Sequence, residues 1–166
     1  VRLCRDTYLA AWSAALYAGR LASAGGSLFD VSRAVAIAPG PADPPLPSDL
    51  LLDGFALIFT EGRLNAAPVL RRAIAAFASA DVPVEQMVRW GFLATRAANV
   101  LWDYDSSLEI GTRAAQLARD SGAFDVLNMA DNACGQAAAI GGDFATAALL
   151  TAEFNAVKEA TGSRIA

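Results

Sequence analysis

The chain has 166 residues, 55% of them hydrophobic and 18% charged, proportions that exclude a disordered or fibrous segment and suit a single domain over residues 1–166. Its formal net charge of −4 leaves no cationic surface to displace counterions from a phosphate backbone, so no direct nucleic-acid partner is expected. Alanine is the commonest residue, and it favours helix because it gives up no side-chain entropy there; the expected class is all-α.

Leu9, Trp12 and Leu16 recur at helical spacing and predict a first helix ending at Gly25-Gly26. Arg2 and Arg5 followed by the charge-free stretch 7–19 loosely match a secretory signal, but Asp6 interrupts the basic flank and the stretch is too short to cross about 30 Å of hydrocarbon. An amphipathic helix is the better reading, and no membrane partner is expected. With Val1 in place of an initiator methionine, the chain reads as a piece of a longer or processed protein.

A second helix is predicted over 28–37. The proline-rich run 39–47 then forbids helix through missing amide hydrogens and a locked φ, and it forms a connector whose Pro44 to Pro47 spacing reads as a stiff loop. Ser48 is the predicted N-cap of a third helix over 49–61, which Gly62 ends. Asn65 is the predicted cap of a fourth, with Pro68 in its first turn. Asp81 and Pro83 open a fifth helix to about residue 102. Ser106 with Glu109 has capping-box spacing for a sixth, closed by Gly122. A seventh is predicted over 124–140 and an eighth over 144–161, ended by Gly162.

The joints repeat. Gly26-Ser27-Leu28, Gly62-Arg63-Leu64 and Gly142-Asp143-Phe144 each set glycine, a polar residue and a large apolar residue between helices, and Trp102-Asp103-Tyr104-Asp105 supplies a joint without glycine. Their spacing of roughly 40 residues lies in the range of helical-hairpin repeats. Gly19, Gly54 and Gly135 precede joints by seven or eight residues, with Ala97 and Ala98 in comparable places, and Ala67 and Ala147 follow joints by five. Small residues there predict close helix crossing. The expected architecture is about eight helices in four antiparallel hairpins.

The paired helices and the Gly-Asp-Phe-x-x-Ala of Gly142 to Ala147 resemble tetratricopeptide repeats, which implies a right-handed superhelix. Further, the run from Leu50 to Leu57, the segment from Ala67 to Ala73, and Ala160-Thr161-Gly162 resemble the helical-repeat region of large actinobacterial LuxR-type transcriptional regulators with an ATPase domain. That resemblance covers most of the chain. It implies a cytoplasmic bacterial signalling protein in which this piece lies between a nucleotide-binding module and a DNA-binding helix-turn-helix. Its role would be a non-catalytic regulatory arm that couples an effector or protein partner to DNA binding elsewhere.

Chemistry is sparse. Without histidine there is no Ser-His-Asp or Cys-His arrangement, and no GxxxxGK[ST] motif cradles phosphate. No catalytic residue, cofactor or metal is assigned: Asp103, Asp105, Ser107 and Glu109 begin like a calcium loop, but Leu108 stands at the sharp-turn glycine and Ala114 at the final acid. Cys4 and Cys134 both read as packed thiols. The fifth helix is apolar over most of its circumference, and Arg89, Arg96, Asn99 and Trp102 fall near one stripe of it. These four are the candidate lining of a groove for an acidic or peptide-like partner. The alternatives are one wet edge of a central helix and a small-molecule sensor pocket lined by helix five. Uncovered apolar faces at the ends make a homo-oligomer possible.

Overall fold

The computed structural model describes residues 2–161. Every regular element among them is helical: α1 (Arg2–Ala18), α2 (Leu28–Ala36), α3 (Pro47–Thr60), α4 (Arg63–Ala78), α5 (Val84–Val100), α6 (Tyr104–Ser121), α7 (Phe124–Ile140) and α8 (Phe144–Thr161), with a 3-10 turn at Gly19–Leu21. The expected all-α class with eight helices is what is found. Gly162 lies outside the described residues. No helix among those described is long and apolar enough to cross a membrane.

The expected boundaries differ at four places, each for a local reason. α1 stops at Ala18 because Gly19 takes φ +49° and starts the 3-10 turn, so Gly19 is a turn residue with nothing within 4 Å of a Cβ placed on it, not a packing position. α3 starts at Pro47, whose missing N–H is no loss in a first turn. Its cap contact comes from Asp49, which accepts the Leu46 N–H at 3.0 Å, while Ser48 is buried inside the helix. α4 follows Gly62 directly, so Asn65 sits in its first turn and donates from its side-chain amide to the Glu61 carbonyl, and Pro68 is internal. α6 is capped by Asp103, which accepts from the Ser106 N–H at 3.1 Å; Ser106 is the donor and not the cap.

The chain divides into two compact units between Ala76 and Phe77. In the first, Trp12 stacks on Phe55 with ring centroids 4.1 Å apart and donates its indole N–H to Ser32 Oγ at 3.2 Å. Leu9, Leu51, Leu52 and Leu70 complete this core. Gly54 lies where a Cβ would stand 2.8 Å from Leu70 Cγ, so the close crossing expected at Gly54 is present, but its partner on α4 is Leu70 rather than Ala67. Arg5 is buried and ties α1 to α3 through Asp49 and Asp53, both at 2.5 Å, and donates to the Pro39 carbonyl of the connector.

In the second unit, successive helices from α5 to α8 pack on one another, and α5 also touches α7. Alanine dominates this core: Ala94, Ala97, Ala98, Ala114, Ala118 and Ala130 are all essentially inaccessible. Short side chains let backbones approach, and Gly91 and Gly111 extend the same logic, a Cβ on Gly91 falling 3.3 Å from Ala114 Cβ. At Gly135, a Cβ would meet Leu150 Cβ at 3.7 Å and the Ala147 carbonyl at 3.9 Å, so this expected crossing involves Ala147.

Three joints of this unit share one geometry. Trp102, Gly122 and Gly142 have φ of +63°, +70° and +86°. The residue after each sends its N–H back five positions, from Asp103 to Ala98 at 3.0 Å, from Ala123 to Ala118 at 2.9 Å, and from Asp143 to Ala138 at 2.9 Å. This is the six-residue closure of a Schellman turn. The next helix then starts at Tyr104, Phe124 or Phe144. Positions 102, 122 and 142 make the structural period one helix of twenty residues, half of the expected hairpin.

Candidate functional site

The four residues expected on one stripe of α5 divide into different environments. Arg96 reaches α7, where its Nη1 donates to Gln136 Oε1 at 2.6 Å, and Gln136 in turn donates to Asn132 Oδ1 at 2.6 Å. Asn99 has a buried Oδ1 with no hydrogen-bond partner among the described residues. Arg89 lies over the ring of Trp90, its neighbour on α5, at 4.8 Å. Trp102 is 66% exposed and packs edge-on with Tyr104, at 5.9 Å between ring centroids. From Arg96 the stripe is continued onto α7 by Gln136.

Asn132 and Gln136 also border a groove of about 700 Å³ between α7 and α8. Gly135, Ala139, Ala147 and Ala148 line it with small side chains, and Thr151 and Asn155 add polar groups from α8. Asp131 lines it as well. This carboxylate is 1% exposed; Oδ1 receives Arg119 Nη2 at 3.4 Å, and Oδ2 has no hydrogen-bond partner among the described residues. Burial, aided by the negative charge of Glu153 and opposed by Arg119, raises the Asp131 carboxyl to about 6. Arg119 itself is held closer to Glu153, at 2.5 Å, which weakens its service to Asp131.

No protein-family model, curated protein or solved structure matches the chain. The site therefore has to be read from its own groups.

Sequence reasoning missed Asp131, Asn132 and Gln136. A signal was present: Leu127, Asp131, Cys134 and Ala138 follow helical spacing along the buried face of α7, so Asp131 interrupts an apolar stripe. Cys134, one turn on, is buried, and desolvation pushes its thiol up to about 11. Cys4, expected to be packed, is instead exposed on α1.

A second cavity, of about 450 Å³, lies within the first unit between the proline connector and α3, with Arg5, Asp53, Glu61 and Arg72 among its lining groups. Neither cavity is lined by α5, so the expected helix-five pocket has no counterpart in these two. The calcium-like cluster is dispersed: Asp103 caps α6 and Ser107 is buried, donating toward the Thr95 carbonyl at 3.5 Å. Among the described residues no group of three or more histidine, cysteine, aspartate or glutamate side chains is placed to hold a metal ion. Pro47, which closes the Pro44 to Pro47 spacing, is the first residue of α3, so the expected stiff loop ends one residue before it.

Proposed function

We propose that the chain is a protein-interaction scaffold, a tetratricopeptide-like helical array that serves as the regulatory arm of a cytoplasmic LuxR-type transcriptional regulator with an ATPase domain. The observation that carries this reading is the Arg96–Gln136–Asn132 chain, which aligns the polar edges of alternate helices α5 and α7 into one strip beside an apolar groove. Helical arrays recognise partners with such strips, since each repeat adds the same edge to a common surface. Trp102 supports it: a two-thirds exposed indole in a left-handed backbone conformation, at a joint where glycine serves elsewhere, keeps a strained residue whose ring is available for contact. A partner or effector would bias assembly of a DNA-binding module only through contacts that differ between two states of the regulator.

The test is a transcriptional reporter driven by the full-length regulator carrying Arg96→Ala or Trp102→Gly. Each variant should keep the wild-type circular dichroism and lose about tenfold in effector-dependent output. Unchanged output from both would overturn the scaffold role of this strip, and a parent sequence without a P-loop upstream and a helix-turn-helix downstream would overturn the regulator context. A second reading, small-molecule sensing, rests on the α7/α8 groove, whose volume is that of ligand sites. A thermal-shift screen with metabolite and peptide sets separates the two, because only a compound preferring the folded state raises the midpoint.

A further inference from the structure

The α7/α8 groove has a counterpart one repeat earlier. Forty residues back from Gly135, Gln136, Ala147 and Thr151 stand Thr95, Arg96, Ser107 and Gly111, which lie on α5 and α6. That earlier position is filled by α7: a Cβ on Gly111 would meet Cys134 Sγ, and it would stand 3.6 Å from Thr95 Cγ2 and 3.8 Å from the Ala130 carbonyl. Helix α7 thus packs across both α5 and α6. The α7/α8 groove repeats that receptor site, lined by glycine and alanine that permit close backbone approach.

The two sites differ at each of these positions, and the change that adds a buried charge is at residue 131. The counterpart of Gly91 is Asp131, which brings a buried carboxylate with one oxygen unpartnered among the described residues. Among the described residues no basic side chain lines this groove to answer it. The charged groups facing Asp131 are Arg119 from α6 and Glu153 from α8, with the Cys134 thiol on its own helix; α5 contributes Arg96, which is bonded to Gln136. Arg119 uses Oδ1 and is shared with Glu153. A single free oxygen suits a compact ammonium better than the two-pronged guanidinium.

We propose that the α7/α8 groove docks a helix from a partner protein, one with a small apolar face and a lysine whose ammonium is drawn to the Asp131 carboxylate behind the groove wall. This deepens the scaffold reading and rests on it. Ionised Asp131 attracts the lysine, so docking strengthens as pH rises through about 6, and the lysine in turn stabilises the ionised carboxylate.

The probe is a fluorescein-labelled, 18-residue alanine-leucine helix with one central lysine, titrated by anisotropy with the 166-residue chain at pH 7.5. Saturable binding is expected, weakened at least tenfold when norleucine replaces the lysine. At pH 5 the two peptides should bind alike, because Asp131 is then protonated. D131N should make the peptides bind alike at pH 7.5, and A148W, at an exposed groove position, should block both while leaving the circular dichroism unchanged. Equal affinity of the two peptides for the wild-type chain at pH 7.5, binding unaffected by A148W, or no binding of either peptide would each overturn the docking proposal. None of those results touches the reporter test of Arg96 and Trp102, so the scaffold reading stands or falls separately.

Discussion

Asp131 is the residue at which the molecule departs furthest from ordinary packing. A carboxylate 1% exposed, with its arginine at 3.4 Å and a second acid nearby, binds its proton more tightly in the native state than in the unfolded chain. The contribution of this group to stability is therefore greatest below the ordinary carboxylate range and is lost as pH climbs through about 6. Asp131→Asn should raise stability at pH 7.5 by about 1–3 kcal/mol and leave it nearly unchanged at pH 4. Urea melts of both proteins at the two pH values check this, and a variant less stable at pH 7.5 would show that the Arg119 contact outweighs desolvation. The two thiols give a second test at this scale. Cys4 is exposed, whereas Cys134 is buried with its thiolate disfavoured. Under native conditions one thiol should react promptly with a disulfide reagent, and the second only after denaturant is added.

At the scale of the element, glycine has two separate duties, and telling them apart decides what substitution does. Gly54 is helical and admits Leu70 of α4, so Gly54→Ala overpacks this crossing and should cost about 1–3 kcal/mol despite the better helix propensity of alanine. Trp102 presents the converse, a bulky residue held at φ +63°. Trp102→Gly relieves a strain of about 1–2 kcal/mol and should raise the thermal midpoint, measured by circular dichroism, if the indole has no structural duty larger than its edge contact with Tyr104. Much of this level is legible in the sequence: α7 begins and ends where periodicity and glycine predict, α8 begins where they predict, and the Trp102 joint is visible from its spacing. Less was legible where two capping residues compete. Asp49 was read as following a Ser48 cap, yet the proline before it already satisfies helix geometry and moves the start upstream. The spacing of Gly19 predicts a packing residue, because spacing alone cannot distinguish a missing side chain from a positive φ. The Arg96–Gln136 bond joins residues forty positions apart, and one helix's pattern does not specify which neighbour its polar edge will meet.

At the scale of the whole molecule, each of the two units buries its own set of side chains. Trp12, Phe55 and the leucines around them belong to the first, and the alanine-packed stack of α5 to α8 to the second. Arg5 fastens α1, the connector and α3 entirely within the first unit. In the second, Arg113 donates to the Ser79 and Ala80 carbonyls and so secures the chain entering α5. Phe77 is fully buried, so a cut that separates the units has to keep it with the second. A fragment beginning at Phe77 should retain helical circular dichroism and unfold cooperatively in urea, because its close contacts run between neighbouring helices and between α5 and α7. Trp90, 4% exposed, should keep a blue-shifted emission in that fragment and lose it in the same transition. A gradual, probe-dependent loss of structure would instead mean that this stack needs the first unit for its cooperativity. The alanine content makes the outcome informative: helices with short side chains bury little apolar area each, so cooperativity here depends on close helix approach, and the glycines at 91 and 111 leave room for Ala114 and Cys134 of the neighbouring helices.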